Sequence, residues 1–379
     1  MNASTAAERN TKRIAIIPGD GIGREVIPEA VQILRAAIAK GNRQADFVEF
    51  DWGAERFLRE GTTLPADAVE MFRRDFDAIL FGAVGDPRVP SNRHAADILL
   101  GLRAKLDLYV NARPVELLDP SLTPLRDRGE SDIRFIIFRE NTEGLYAGAG
   151  GQFRRGHPEE IAIQEDINTR RGVERIIRYG FEYARARKLG KVLMSDKSNA
   201  LTFGHELWQR VFAEVHREYP EIESRHLYID TLAAELVRDP SQFRVIVTCN
   251  LFGDIASDLA AQLTGGLGLA PSGNIHAGEV SLFEPVHGSA PNIAGKGIAN
   301  PMGAVLASAM LCDHIGWNNL GDLLRAAVRA AVRERQTTRD LGGTHSTREV
   351  GDWLVEYVTN HAGRDPSLLH PSTRKTGVR

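Results

Sequence analysis

Cysteine is scarce in this chain. Its 379 residues hold two, Cys249 and Cys312, both in apolar segments. Two cysteines cannot form a disulfide framework for a chain of this length, and a reducing cytoplasm fits. Long apolar runs are absent too, since none reaches the ~18–20 residues a membrane span needs. The opening Met1 to Asn10 has no apolar core and does not read as a signal peptide. Neither sign of charge dominates: 47 Lys and Arg stand against 50 Asp and Glu, a net charge of −3. That balance gives no general drive toward nucleic acid or an anionic membrane. There is no internal repeat, no low-complexity linker and no G-x-x-x-x-G-K-[ST] phosphate cradle. What remains is a cytoplasmic globular chain without nucleic-acid or membrane partners, long enough for two domains or one large α/β unit.

What the chain does have is alternation of strand and helix patterns. Arg13-Ile-Ala-Ile-Ile17 reads as a short strand, ended by Pro18-Gly-Asp-Gly-Ile-Gly23. The glycine spacing is G-x-G-x-G rather than G-x-G-x-x-G, so a nucleotide loop and a tight structural turn stay equally open. Arg24 to Lys40 has helical spacing, with Val26, Ile27, Ala30, Ile33, Leu34 and Ile38 largely on one side. Strands at Asp46–Phe50 and Asp77–Phe81 flank a helix at Ala66–Arg74, an order that argues for a doubly wound, mostly parallel sheet. Further on, a helix at Ala95–Leu106 precedes strands at Tyr109–Val115 and Asp132–Phe138. The small residues Ala147 to Gly151 suggest a hairpin or flexible loop before a strand at Ile161–Ile167. Helices at Arg171–Arg187 and Glu206–Tyr219 alternate with strands at Lys191–Met194 and His226–Ile229. Phe243 to Cys249 reads as a buried strand because it is apolar and β-branched. Ser281 to Asn292 is rich in Gly and Pro and reads as a loop; helices follow at Met302–His314, Leu320–Arg335 and Thr347–Thr359. The tail from Ala362 on is polar and reads as mobile.

The chemistry gathers after the Phe243–Cys249 strand, at Asn250-Leu-Phe-Gly-Asp254-Ile-Ala-Ser-Asp258. Residues four apart share a helix face, where like charges disfavour each other. A hard divalent cation would relieve that repulsion, and Mg²⁺ or Mn²⁺ prefers oxygen ligands. Alone, the pair also fits solvated acids favoured by a helix N-terminus. Arg113 and Arg139 lie at strand ends, and Arg103 on a helix among Leu99, Leu100, Leu102 and Leu106. Arginine forks match carboxylates, so three of them with Asp254 and Asp258 describe a pocket for a small polycarboxylic acid and a metal. Lys197 and Tyr146 are the candidate proton carriers. A phenol beside positive charge would have a lowered pKa. His287, in a Gly-Ser-rich loop, suggests ligand contact; His226 and His314 take structural readings.

With these residues assembled, the sequence resembles the β-decarboxylating dehydrogenases, which act on isocitrate, 3-isopropylmalate, homoisocitrate or tartrate/D-malate. The resemblance runs from about Arg13 to Tyr357. It is carried by Asn250–Asp258 with the Gly-Gly-Leu-Gly-Leu run ending at Leu269, by Glu284-Pro-Val-His-Gly-Ser-Ala-Pro291, by Ile-Pro-Gly-Asp-Gly-Ile-Gly23 and by Ile-Ala-Asn-Pro301. It implies a two-domain α/β isopropylmalate-dehydrogenase-like fold with a mostly parallel central sheet, distinct from the standard Rossmann fold. One domain would be discontinuous, 1–108 with 264–379; the other, 109–263, would make a homodimer whose active sites are shared. It further implies NAD and Mg²⁺ or Mn²⁺ as cofactors. Asp254 and Asp258 would hold the metal with Asp230, which also faces substrate. Arg103, Arg113 and Arg139 would clamp substrate, with Leu99 beside them. Tyr146 and Lys197 would be catalytic, and Glu284, His287, Gly288, Ser289, Ala290, Asn292 and Asn300 would bind the dinucleotide.

Substrate choice rests on departures within the family pattern. Leu99 stands where isopropylmalate enzymes carry a leucine against the isopropyl group, but Ala96 stands where they usually have an acid. Arg139 to Gly144, Phe50 to Gly53 and Gly82 to Gly85 look more like tartrate/D-malate enzymes, whose Ser-Leu-Trp-Gly element is missing here. The balance falls on 3-isopropylmalate. Asn292-Ile293 replaces the acid usual in NAD members and the Lys-Tyr usual in NADP members; Asn bonds a hydroxyl and Ile offers a phosphate nothing, which favours NAD. A non-catalytic regulatory homologue is the rival of another class. It would be expected to lose a metal aspartate, an arginine or Lys197, and all are kept.

Overall fold

The computed structural model describes residues 11–361, so Met1–Asn10 and the polar tail from Ala362 lie outside the described residues. In chain order the first elements are β1 (Thr11–Gly19), α1 (Gly23–Lys40), β2 (Gln44–Glu49), α2 (Ala54–Glu60), α3 (Ala68–Asp75) and β3 (Ala78–Ala83). A helical stretch follows as α4 (Arg93–Ala95), a wide π turn over Ala96–Leu100, and α5 (Gly101–Lys105). The middle of the chain contributes β4 (Val110–Glu116), β5 (Arg134–Glu140), β6 (Gly150–Phe153), β7 (Ile161–Gln164), α6 (Arg170–Ala186), β8 (Lys191–Asp196), α7 (Gly204–His216), β9 (Glu223–Tyr228), α8 (Ile229–Arg238), β10 (Val245–Thr248), α9 (Asn250–Gln262) and β11 (Pro271–Ile275). The last elements are β12 (Ser281–Pro285), α10 (Met302–His314), α11 (Asn318–Arg333) and α12 (Thr347–His361).

Two compact units divide these elements: Met1–Ile98 with Leu282–Arg379, and Leu99–Ser281. The sequence expectation put the junctions at 108/109 and 263/264. In the first unit the strand order is β2-β1-β3-β12, with β1 parallel to both β2 and β3. Every residue of β3 is buried, as expected of a strand covered on both faces. The buried stripe of α1 (Val26, Ile27, Ala30, Ile33, Leu34, Ala37) packs against α10, α11 and α12. Glu29 lies on that stripe, 8% exposed, and a Cβ on Gly351 of α12 would sit 2.1 Å from its Oε2. Burial first, then the charge of Asp352, raises its pKa, against the opposing pull of Arg348. The folded chain therefore holds this proton more tightly than the unfolded one, and the stability so contributed is lost as pH rises through the raised value. We expect Glu29→Gln, which stays neutral, to raise the thermal midpoint at pH 8 by about 2 °C and to flatten its fall between pH 5 and 8. A scanning calorimetry series with no gain at pH 8 would contradict this.

In the second unit the strand order is β11-β4-β5-β10-β8-β9, with β6-β7 a separate antiparallel ribbon. β5, β10, β8 and β9 run parallel, while β4 is antiparallel to both β5 and β11. Val115, Phe135, Ile137, Leu193 and Ile246 from the sheet meet Leu232 and Leu236 of α8 and Ala256 and Ala260 of α9 in one core. Small residues on that face of α9 let the helix lie close to β5. A Cβ on Gly253 would come 2.5 Å from Arg139 Cβ, nearer than side chains approach.

Several local readings are corrected. Ser281–Pro285, read as loop, is a fully buried strand, because the Leu282-Phe283 pair is worth more buried than its Pro and Gly neighbours cost; the loop begins only at Val286. The helix expected over Ala95–Leu106 is interrupted by the π turn. The short α2 was not anticipated. Asp230 does not end a strand but sits in the first turn of α8. The Pro18–Gly23 segment is a tight structural turn: Gly21 has φ +52°, its Cβ would lie 1.9 Å from the Ser289 carbonyl oxygen, and the Ile22 N–H donates to that oxygen at 2.9 Å. Glu25 ties the same regions by accepting from the N–H groups of Gly295 (2.6 Å) and Gly297 (2.9 Å).

Candidate active site

The site in the second unit is organised on Asp254. Arg139 closes β5, Arg113 lies on the adjacent β4, and α9 starts directly after β10, so sheet pairing brings three chain segments together. Arg139 Nη1 donates to Asp254 Oδ1 at 2.5 Å, and its Nε to Asn250 Oδ1 at 2.9 Å. Arg113 reaches both acids, with Nη2 3.1 Å from Asp254 Oδ1 and Nη1 3.2 Å from Asp258 Oδ1; it also donates to Ser257 Oγ at 2.6 Å. The Tyr146 hydroxyl donates to Asp254 Oδ2 at 2.9 Å, with the Arg139 guanidinium 5.2 Å from its ring centre. Arg103, buried on α5, adds its charge to the field at Asp254 and Arg139.

These contacts drive the two carboxylates apart. Burial works to raise Asp254, but Arg139, Arg113 and the Tyr146 hydroxyl hold it below the ordinary carboxylate range. Asp258 is raised, by burial first and by the charge of Asp254, with Arg113 opposing. Burial and then Arg113 lower the pKa of Arg139, whose guanidinium stays charged at neutral pH. Tyr146 corrects an expectation. Burial and its carboxylate acceptor Asp254 raise the phenol, outweighing Arg139 and Arg113, so positive neighbours do not lower it here.

Lys197 and Asp230 form a second cluster in the same unit. Lys197 Nζ donates to Asp230 Oδ1 at 2.5 Å and lies 5.9 Å from the Tyr228 ring centre. That bond holds Asp230 below its ordinary range. Asp230 is largely exposed, and Asp254 and Asp258 are not among its contacts. Among the described residues of the single chain no three or more His, Cys, Asp or Glu side chains are grouped so that they could hold a metal ion. Leu99 is half-buried within the π turn, one turn before Arg103.

The loop residues Glu284, His287, Gly288, Ser289, Ala290, Asn292 and Asn300 lie in the first unit. Glu284 and Ser289 are buried, Gly288 and Asn292 exposed. His287 Nε2 is buried with no hydrogen-bond partner among the described residues, and burial lowers the pKa of the ring. Ala290 has a positive φ of 41°. Asn300 donates to Asp340 Oδ2 at 3.0 Å and accepts the Met302 N–H at 3.0 Å.

Sequence reasoning passed over several of the polar partners. Asn250 and Ser257 fall within the quoted α9 motif but were given no task; their positions one turn from Asp254 were the available signal. Asp20 accepts from the N–H groups of Ala54 (2.7 Å) and Gly85 (2.9 Å) and meets His94 Nε2 at 2.8 Å, pinning the loops around the glycine turn. Nothing local in the sequence marks that pair, 74 residues apart. His226 has the expected structural partner, Asp196 Oδ1 at 2.8 Å.

Residues 13–354 match the family model described as isocitrate/isopropylmalate dehydrogenase. A 3-isopropylmalate dehydrogenase of Thermobifida fusca is 45% identical over 350 residues, 92% of this chain and 98% of that protein. One from Corynebacterium kroppenstedtii is 47% identical over 342 residues, covering 89% and 97%. Among solved structures, isocitrate dehydrogenase from Methylococcus capsulatus superposes with a TM-score of 0.83 at 36% identity, covering 92% of this chain and 99% of that one. By class, then, the protein is a decarboxylating dehydrogenase. It belongs to the isocitrate/isopropylmalate dehydrogenase family.

Proposed function

We propose that the chain oxidatively decarboxylates 3-isopropylmalate, with NAD as acceptor and Mg²⁺ or Mn²⁺ as the metal, in a homodimer. The observation that carries this reading is the convergence of Arg139, Arg113 and Tyr146 on Asp254, with Asp258 one turn on. Relatives named 3-isopropylmalate dehydrogenase, at 43–47% identity, support the substrate.

The residues present fit a divalent cation. Asp254 and Asp258 offer hard oxygen donors, and Asp258, whose charged form Asp254 disfavours, would be relieved by one. Among the described residues only these two acids lie at this place, so Asp230 of a second copy and the substrate would complete the set. A dinucleotide would satisfy the orphaned His287 Nε2, with Asn292 toward a ribose hydroxyl and Glu284, Gly288, Ser289, Ala290 and Asn300 forming its loop. When bound, the cation supplies Lewis acidity and the nicotinamide a hydride acceptor.

The chain's own groups bind, orient and move protons. Arg103, Arg113 and Arg139 hold the substrate carboxylates, exchanging Asp254 for a second anion. Lys197 of the second copy, as the free amine that a neighbouring cation would favour, accepts the hydroxyl proton at Nζ. The Tyr146 hydroxyl, raised and therefore protonated at neutral pH, delivers a proton to carbon after CO₂ leaves. Leu99 faces the isopropyl group; each methylene it selects is worth about 1–3 kcal/mol.

Initial rates of NADH formation with Mn²⁺ and each acid test this. We expect kcat/KM for 3-isopropylmalate to exceed that for D-malate or tartrate by about 10²-fold, NAD to be preferred over NADP, and chelation of the metal to stop turnover. No turnover of 3-isopropylmalate would end the substrate assignment, and tighter use of NADP would end the cofactor assignment.

A further inference from the structure

The backbone of Lys197 is held by a side chain that the chemistry above does not use. Lys197 follows the last residue of β8, and its carbonyl accepts from Ala200 N (2.9 Å) and Leu201 N (2.8 Å) in the turn that follows. Its N–H donates to His205 Nδ1 at 2.8 Å. His205, the second residue of α7, is 1% exposed. Its ring packs edge-on against Phe252 of α9, with centres 5.4 Å apart, and Nε2 lies 3.7 Å from Asp166 Oδ2. An amide N–H can only donate, so Nδ1 carries the lone pair and the ring proton sits on Nε2. Burial lowers the pKa of this imidazole, against Asp196 and Asp166, and keeps it neutral. An apolar residue would fill the same space without burying a polar ring. What the imidazole adds is one acceptor, directed at one amide.

We propose that His205 is a positioning residue for Lys197: its neutral ring ties the Lys197 amide to the Phe252 side of α9, the helix that bears Asp254 and Asp258. The lysine is thereby set by two restraints. The Asp230 carboxylate orients the ammonium end, and the imidazole anchors the backbone from which that side chain extends. Asp196 reinforces the anchor from the other side. Its Oδ1 accepts the Ser198 N–H at 3.0 Å, and its Oδ2 accepts from Gln209 Nε2 of α7 at 2.7 Å. The inference rests on Lys197 being the proton carrier of the proposed reaction.

The test uses the full chain with Mn²⁺, NAD and 3-isopropylmalate. His205→Asn puts an amide oxygen where Nδ1 lies and keeps an acceptor; His205→Leu and His205→Phe fill the space without one. We expect kcat of the Leu and Phe variants to fall about tenfold or more, with KM for acid and for NAD within about threefold of the parent, and the Asn variant to stay within about threefold in kcat. Thermal midpoints measured alongside separate positioning from folding, because a purely structural role lowers the midpoint and leaves kcat per folded molecule unchanged. If the Leu variant does not fold, the ring-shaped Phe variant carries the comparison. Parental kcat in the Leu or Phe variant, or an equal loss in the Asn variant, overturns the inference. Lys197→Met is assayed in parallel. Full activity there defeats the assignment of Lys197 itself, an outcome distinct from an essential lysine with indifferent His205 variants.

Discussion

Asp254→Asn is expected to reduce kcat/KM by about 10³-fold or more. The carboxylate touches both Arg139 and Arg113 and accepts the Tyr146 hydroxyl, and it is one of the two acids proposed above to hold the cation. An amide keeps the shape but loses the charge. It cannot attract a divalent ion as a carboxylate does, and its NH₂, placed where Oδ2 accepts the Tyr146 hydroxyl, obliges that phenol to turn from donor to acceptor. Stability falls as well, because Arg139 is 1% exposed and loses its ionic partner. Breaking such a pair costs about 3–5 kcal/mol when fully buried, and about 3 kcal/mol is expected here because the Asp254 side chain is one-third exposed. The pH dependence follows in sign. A carboxylate held below its unfolded pKa contributes stability that is present above about pH 4 and lost as pH falls through the lowered value, so the Asn variant lacks this part of acid unfolding. Calorimetry from pH 3 to 7 beside rate assays checks both halves. Undiminished turnover would remove the metal-ligand role.

Lys197→Met is expected to lower kcat by about 10²–10⁴-fold, the span typical of a positioned proton acceptor, with little change in the thermal midpoint. The two effects separate because Asp230 is exposed, so the ion pair is screened by solvent and contributes little to folding. Methionine keeps the length of the stem while removing the basic nitrogen, which lies 5.9 Å from the Tyr228 ring centre. KM for the acid should change little if arginines, rather than the lysine, hold its carboxylates. A rise in KM with kcat intact would instead make Lys197 a binding group. Mixing Lys197→Met with Asp254→Asn chains adds a readout of shared sites. Heterodimers carrying both lesions in one site regain turnover in the other, whereas sites complete within one chain would gain nothing by mixing.

The mostly parallel sheet and the acid helix were legible from the chain for definite physical reasons. β10 is four β-branched residues long and the acids of α9 are one turn apart; Arg113, read at a strand end, lies midway along β4, opposite Ile137 of β5 and diagonal to Arg139. Met302–His314 was read to its ends because Ala, Val, Leu and Met run through it, with Gly303 only in its first turn and Gly316 just beyond its end. Less legible was what depends on partners far along the chain. The direction of the Tyr146 shift depends on Asp254, 108 residues away, and the Lys197–Asp230 pair joins residues 33 apart. Ser281–Pro285 was misread because composition spoke for a loop while burial of Leu282 and Phe283 decided for a strand. The π turn has no sequence signature of its own, since it differs from the flanking helix by one hydrogen-bond register.

Glu25 and the glycine amides it binds are separated by 270 and 272 residues. On the ribosome, Leu99–Ser281 emerges as one uninterrupted stretch and can collapse as soon as it is made. The segment before it has no such freedom. β1, β3 and α1 must wait, with their apolar faces exposed, for α10, α11 and α12 to be synthesised, and closing so long a loop makes their assembly the slow step. Nascent chains stalled with Leu99–Ser281 outside the ribosome but α10 to α12 not yet emerged would therefore engage chaperones through the N-terminal strands, although the segment bearing Asp254 is free to fold.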